Sequence, residues 1–543
     1  MKSHKPEPQH RRSAKDPART TGGVPKAGKP AGGKVRGGAP KGAGAGKSSA
    51  GKSSAIKSSA RKAAPGKPGP ARPGSAKPKS AKPNSASKPN ASKPAAPAPA
   101  PVEPVIIDLR IEKLVTGGDG LARDEQGACF VPRTAPGDLV RAAVLEARSG
   151  YRRAELREVL EPGPDRRDAP CRHFAHCGGC DLQHMGDEAQ RAAKLAIVVE
   201  CFQRQGKLDV SEWMGPMICG DPFTWRTALR LHAHPTGCYG LHQRGTHEVV
   251  RMEECPVMAA PFTDIILPWL RFMPPVDQVV VRLDGRGGWL LSLFGVPARL
   301  KVLKKIVGAL DPGAAPAPGL KGLLFNNRPV WGRDYLVHQV AGHSYRVGAG
   351  AFFQNNQHVA EAAVATVRGW IDEVVPAGTR HPHLLDLYGG VGLFTLALAD
   401  RFERATLVEL DPGACRDAEN NIARDETTRG RATVCQGDLA EVISRPDLLD
   451  ADRNADMWRQ AVCVVDPPRA GLGRDGVQAL LARRPAHIFY MSCDPSTQAR
   501  DAGVLVAAGY VPKALRVLDM FPQTAHIESL MWLADESADP ARP

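Results

Sequence analysis

Two groups of residues carry chemistry by type and spacing alone. Cys493 stands in Ser492-Cys493-Asp494-Pro495, after the apolar run 488–491 and before an acid and a proline that signal a helix start. A thiol at a strand tip beside a helix start is placed to react, because helix N-terminal amides stabilise thiolate. The plainer reading is a small core residue. Cys171, Cys177 and Cys180 put three thiols within ten residues, and Gly178 and Gly179 let the backbone between them curl round a bound centre. Cys255, followed by Pro256, is the best candidate for a fourth. Four thiolates hold either zinc or a [4Fe-4S] cluster; spacing leaves both open, and a three-plus-one arrangement leans towards the cluster.

Acids recur at strand ends. The apolar run 384–388 opens into Gly389-Gly390-Val391-Gly392, a turn that leaves room for a ligand against bare backbone. The next strand ends in Glu409, where a carboxylate can accept hydrogen bonds from the ribose hydroxyls that NAD and S-adenosylmethionine share. Asp438 ends the following run and either takes an adenine amino group or caps the next helix. Asp466-Pro467-Pro468-Arg469 after the run 461–465 puts an acid and two rigid prolines where a methyl acceptor would lie. Methyltransferases acting on amino groups usually have an aromatic residue after Asp-Pro-Pro; Arg469 disfavours that acceptor. Glu528 and His526 supply a carboxylate and an imidazole near the end of the chain.

These residues need elements to hold them. The 543-residue chain carries a formal +16, but residues 1–100 hold 23 Lys and Arg against Glu7 and Asp16 alone, a balance of +21 that leaves −5 for the rest. Residues 1–104 are Lys, Ala, Pro, Ser and Gly with near-repeats of Lys-Ser-Ser-Ala, too poor in large apolar groups to order, so a disordered basic tail is expected. Such a tail can hold RNA by counterion release or act only as a solubilising segment. Short alternating strands with glycine turns over 105–165 predict a small barrel. A helix is expected over 188–205 and a sheet that includes 279–283 and 290–294, within a central domain spanning 166–345. From Asn356 helical and strand patterns alternate to Leu533, which predicts a doubly wound α/β domain over 346–537. Twelve cysteines in one cluster and scattered positions do not suit a secreted disulfide framework, and no run of about 18 or more apolar residues occurs. A cytoplasmic protein with no membrane partner and no evident obligate protein partner is the expectation.

Together the motifs resemble a known family. Cys171-x5-Cys177-Gly-Gly-Cys180-x2-Gln183-His184 with the later Cys255-Pro256 is similar to the iron-sulfur motif of bacterial RNA uridine-5-methyltransferases. Phe352-Phe353-Gln354-Asn355-Asn356, Asp386-Leu387-Tyr388, the Asp466 motif, Ser492-Cys493-Asp494-Pro495-Ser496-Thr497 and Asp519-Met520-Phe521-Pro522-x-Thr524-x-His526-x-Glu528 look like the same family's catalytic motifs. The run 113–123 with Phe130-Val131-Pro132 resembles a TRAM domain, an OB-like RNA-binding module. Gly389 stands where the family commonly has Cys.

The resemblance implies a Rossmann-like S-adenosylmethionine methyltransferase domain preceded by a TRAM-like barrel and an iron-sulfur domain. It implies Cys171, Cys177, Cys180 and Cys255 as ligands of a [4Fe-4S] cluster in a structural role. It carries over Gln354, Tyr388, Glu409 and Asp466 as cofactor contacts, Cys493 as nucleophile and Glu528 as base; by residue type alone His526 is the runner-up, and the plainer reading of both is ordinary strand-edge polar residues. Uracil carbon 5 is too weak a nucleophile to attack a sulfonium methyl unaided, and a thiolate adding at carbon 6 makes the enolate that can. The expected substrate is structured RNA, 23S ribosomal RNA in preference to transfer RNA, its target uridine unpaired or flipped out. Rival readings are an inactive RNA-binding or ribosome-assembly protein and a zinc-containing cytosine-5-methyltransferase, whose second Cys would lie where Arg469 stands.

Overall fold

The computed structural model describes residues 104–308, 315–376, 378–445, 448 and 454–538. The expected tail over 1–104 therefore lies outside the described residues except for Pro104.

The first sheet has six strands, in the order Ile106–Arg110, Leu139–Arg148, Tyr151–Glu161, Gly127–Val131, Gly120–Asp124, Lys113–Leu114. Its strands alternate inward and outward side chains, so Leu109, Val140, Ala142, Cys129, Val131 and Ala154 form one small core. A second sheet of seven strands takes up 228–332; Trp289–Phe294 and Leu320–Phe325 pair in parallel across the helix Ala298–Gly308, and its other pairs are antiparallel. Observed strands Gln278–Leu283 and Trp289–Phe294 match the two expected there to within a residue.

The third sheet positions the acids and Cys493. Its strands are β1 (His381–Leu387), β2 (Phe402–Glu409), β3 (Ala432–Gln436), β4 (Ala461–Val465), β5 (His487–Ser492), β6 (Tyr510–Leu518) and β7 (Glu528–Asp535), in the spatial order β3-β2-β1-β4-β5-β7-β6. All pairs are parallel except those of β7, which runs against β5 and β6. The order reverses between β1 and β4, which opens a crevice at the carboxyl ends of these strands. Strands covered on both faces read as unbroken apolar runs, as Ala461–Val465 does.

Each face has its own core. Leu385, Leu387, Cys463, Val465, Ile488 and Tyr490 point to one side; Leu384, Val462, Val464, Phe489 and Met491 point to the other, against the helix Gln357–Val374. Asn356 caps that helix, its Oδ1 accepting from the Val359 amide at 3.3 Å. The first face is covered partly by residues from far upstream. Leu182, Met185, Ile197, Val198, Phe202 and Val210 join its core, so the helix Asp187–Cys201, expected at 188–205, packs on the doubly wound sheet across the boundary drawn at 345. Lys194 on this helix is buried, and its Nζ is 2.7 Å from Asp519 Oδ1. Among the described residues no helix is long and apolar enough to cross a membrane.

Candidate active site

Gln354 precedes the Asn356 cap, Tyr388 follows β1 and Asp466 follows β4; all three line one cleft at the crevice, with Phe352, Asp386 and Phe394. Gln354 Nε2 donates to Asp466 Oδ2 at 3.2 Å, while Gln354 Oε1 is buried with no hydrogen-bond partner among the described residues. Tyr388 has φ +59°, a left-handed conformation costly for an aromatic residue and typical of loops built round a ligand. Gly389 is required for a different reason. A Cβ there would meet Leu407 Cγ at 2.5 Å and Asp386 Cγ at 3.1 Å, so beside Leu407 the position has no room for the Cys expected from the resemblance.

Glu409 and Asp438 are not among the residues that line this cleft. Glu409 Oε2 accepts from the Gly390 amide at 3.0 Å and its Oε1 from the Leu410 and Asp411 amides at 2.7 Å, so it fixes the glycine loop from behind. Asp438 caps the helix Leu439–Ser444, accepting from Ala440 N at 3.0 Å and Glu441 N at 3.4 Å.

A second cleft of about 490 Å³ adjoins the first, and Phe352, which is 65% exposed, lines both. Cys493, Glu528, Arg469 and His526 line it together. Cys493 lies between β5 and the helix Pro495–Ala507, whose N-terminus is capped by Asp494 through the Ser496 amide at 3.0 Å and the Thr497 amide at 3.4 Å. Glu528 opens β7, is 3% exposed, and leaves Oε2 without a partner among the described residues.

The electrostatics correct one expectation. Helix amides were to favour the thiolate, yet burial first and then the carboxyls of Glu528 and Asp466 push the Cys493 thiol up to about 11, with Arg469 pulling the other way. Glu528 is itself raised well above the usual carboxyl range by burial and by Asp466, again opposed by Arg469. Asp466 is raised to about 7 by burial and by Asp386. The protein without RNA therefore holds its nucleophile as the thiol near neutrality, burial and Asp466 disfavour the charged form of Glu528, and Arg469 is the cation that opposes both shifts. Arg469, Asp386 and Phe352 were quoted in the motifs but not singled out for the site; adjacency to the chosen residues was the available signal.

Cys171, Cys177, Cys180 and Cys255 line a single cavity, and none is in a disulfide. Burial pushes Cys180 up to about 12 and Cys255 to about 11. Among the described residues no group of three or more His, Cys, Asp or Glu is disposed to hold a metal ion. Gly178 and Gly179 answer to close packing rather than to a curled backbone: a Cβ on Gly178 would meet His242 O at 2.8 Å, and one on Gly179 would meet Leu241 Cδ1 at 2.7 Å. Arg226, which has no motif around it, lines both this cavity and the cleft of Cys493.

A family model described as tRNA (Uracil-5-)-methyltransferase matches residues 327–536. An uncharacterized RNA methyltransferase of Streptomyces coelicolor is 32% identical over 451 residues, covering 78% of this chain and 91% of that protein. The chain belongs to the RNA (uracil-5)-methyltransferase family. It is an S-adenosylmethionine-dependent enzyme of that family. A relative from Pseudomonas entomophila named 23S rRNA (uracil(1939)-C(5))-methyltransferase RlmD is 30% identical, over 78% of this chain and 92% of its own. The Pyrococcus abyssi tRNA (uracil-54, C5)-methyltransferase, solved with S-adenosyl-L-homocysteine, superposes with a TM-score of 0.58 at 22% identity, covering 79% of this chain and all (100%) of that one, and so shares the fold. In this RNA (uracil-5)-methyltransferase the first cleft brings an open glycine loop, the unpaired Gln354 oxygen and Asp466 together, backbone approach and polar partners in one place.

Proposed function

We propose that this methyltransferase acts on a uridine of 23S ribosomal RNA through a covalent adduct, with Cys493 as nucleophile and Glu528 as base. The observation that carries the reading is that Cys493 and Glu528 line one cleft, joined at Phe352 to the cleft of Gln354, Tyr388 and Asp466. The Cys493 thiolate adds to carbon 6 and makes an enolate. Carbon 5 then attacks the sulfonium methyl, forming the carbon–carbon bond and releasing S-adenosylhomocysteine. Glu528 takes the proton from carbon 5, the carbon–sulfur bond breaks, and the thiolate is restored. Glu409, which fixes the glycine loop from behind, and Asp438, which caps the following helix, are proposed to reach the nucleoside of the donor. The target base must leave its stack to enter.

Ribosomal RNA is supported by the names of the Pseudomonas relative and of one from Chromohalobacter salexigens, 31% identical over 89% of its length. Transfer RNA is the second reading, supported by the family description and by the fold shared with the Pyrococcus enzyme. Residues 105–165 are read as an OB-like TRAM module and 166–345 as the domain that grips flanking RNA, with catalysis in 346–537. Four free thiols round one cavity support Cys171, Cys177, Cys180 and Cys255 as holders of a [4Fe-4S] cluster. Bound there, it would crosslink the 171–180 loop to Cys255 and supply no step of methyl transfer.

Tritium release from ribosomal and transfer-RNA transcripts labelled at uridine carbon 5 tests the reading. Release that requires S-adenosylmethionine and is lost in Cys493→Ala is expected with 23S transcripts; release from transfer RNA alone moves the substrate. Full methylation by Cys493→Ala would remove the covalent mechanism.

A further inference from the structure

The loop 519–527 between β6 and β7 delivers His526 and Glu528 to the cleft, and its own sheet holds it at the ends only. What fixes its middle comes from far away in sequence. The Ala525 amide donates to Asp181 Oδ2 at 3.0 Å, and the amides of Asp181 and Leu182 both donate to Gln523 O at 3.0 Å. Gln523, with φ +68°, exchanges hydrogen bonds with Gln190, its amide donating to Oε1 at 3.1 Å and its own Oε1 accepting from Nε2 at 3.0 Å. Lys194 Nζ donates to Phe521 O at 3.0 Å.

The two oxygens of Asp181 have separate duties. While Oδ2 takes the Ala525 amide, Oδ1 takes Arg244 Nη1 at 2.8 Å, and the other arm of that guanidinium, Nη2, reaches Asp119 Oδ1 at 2.7 Å. Asp119 lies on the turn of the first sheet, where a Cβ on Gly118 would meet Ala525 Cβ at 2.6 Å, so that turn rests against the same residue. Ala525 is thus gripped between the first sheet and the cysteine loop, three residues before Glu528. A charge-assisted fork of this kind fixes direction as well as distance.

We propose that Asp181 is a positioning residue for the base: its carboxylate, braced by Arg244, holds Ala525 and so sets where Glu528 meets carbon 5. The proposal rests on Glu528 being the base. It assigns the cysteine loop and the first sheet a part in the last chemical step, proton removal and elimination of the thiolate, and none in donor binding.

The test uses the full-length protein as isolated, with the labelled transcript that supports turnover, and follows methyl transfer and adduct lifetime separately in single turnover. Asp181→Ala is expected to slow elimination at least tenfold, so that methylated, denaturant-resistant RNA–protein adduct accumulates, with methyl transfer and S-adenosylmethionine affinity within about threefold of wild type. Asp181→Asn keeps an oxygen for the Ala525 amide and should recover most of the rate. Arg244→Gln should show the same adduct build-up to a smaller degree, and it decides the matter if Asp181→Ala does not fold. Elimination at the wild-type rate in Asp181→Ala, or equal loss of both steps together with donor affinity, overturns the proposal. Glu528→Gln run alongside separates the two ideas: if it builds no adduct the base assignment fails, whereas adduct from Glu528→Gln with none from the Asp181 and Arg244 variants rejects the positioning role alone.

Discussion

The carboxyl of Glu528 acts on the thiol of Cys493 across their shared cleft, and after burial it is the largest influence pushing that thiol up to about 11. The Glu528 carboxylate thus opposes ionisation of the thiol that shares its cleft. The cation that lowers both is Arg469.

Alkylation of Cys493 should report this coupling. Thiolate is the reactive form, so the iodoacetamide rate rises about tenfold per pH unit below the thiol pKa. In Glu528→Gln the repulsion is absent and the profile shifts to lower pH. The two curves should coincide at low pH, where Glu528 is neutral, and separate as it ionises. Arg469→Gln should shift the profile the other way. Mass spectrometry of the Cys493 peptide gives the rates, and coincident curves at every pH would remove the coupling.

Loss of the base should separate the two halves of the reaction. Glu528→Gln is expected to transfer methyl and then stall, with elimination slowed about 10²- to 10⁴-fold, the usual contribution of a general base. Adduct on denaturing gels, with tritium retained on the RNA, checks this. If His526→Gln stalls instead, the two residues exchange roles.

Asp466 makes stability fall with rising pH. Its carboxyl is raised from 3.8 to about 7, so between those values the folded chain holds a proton that the unfolded chain has released. Stability from this group is complete below about 4 and lost as pH rises through about 7. Urea denaturation of Asp466→Asn against wild type should show the difference between them shrinking or reversing towards neutral pH in favour of the amide. Parallel curves would place the Asp466 titration elsewhere.

Gly389→Cys should destabilise by about 1–3 kcal/mol, the usual cost of overpacking, because its Cβ would meet Leu407 Cγ at 2.5 Å. Leu407→Ala clears that atom, so the double variant should lose less than the sum of the single changes. Thermal melting of the four proteins closes the cycle.

Iron and acid-labile sulfide in equal amounts are expected on protein purified without oxygen, and Cys180→Ser or Cys255→Ser should lose both. Zinc without iron would reject the cluster in favour of a single ion.

What the sequence determined by itself is local. Alternating α and β patterns specify the doubly wound sheet, since the period of apolar residues decides which faces are buried. Residues that need a strand tip, such as Cys493 and Asp466, carry their placement in the run before them, and Asn356 and Asp494 announce their helices by residue type. Only the tertiary structure decided what these groups do to one another. The pKa of Cys493 depends on Glu528 and Asp466, which are distant in sequence, so a helix start predicted a thiolate where burial and carboxyls prevail. The reason for Gly389 is the side chain of Leu407 on the neighbouring strand, and the reasons for Gly178 and Gly179 lie in His242 and Leu241. Asp181 carried no signal beyond following Cys180, because its meaning is a hydrogen bond to Ala525, 344 residues away. Period and residue type are properties of a segment, whereas desolvation, repulsion and close packing belong to pairs that only folding brings together.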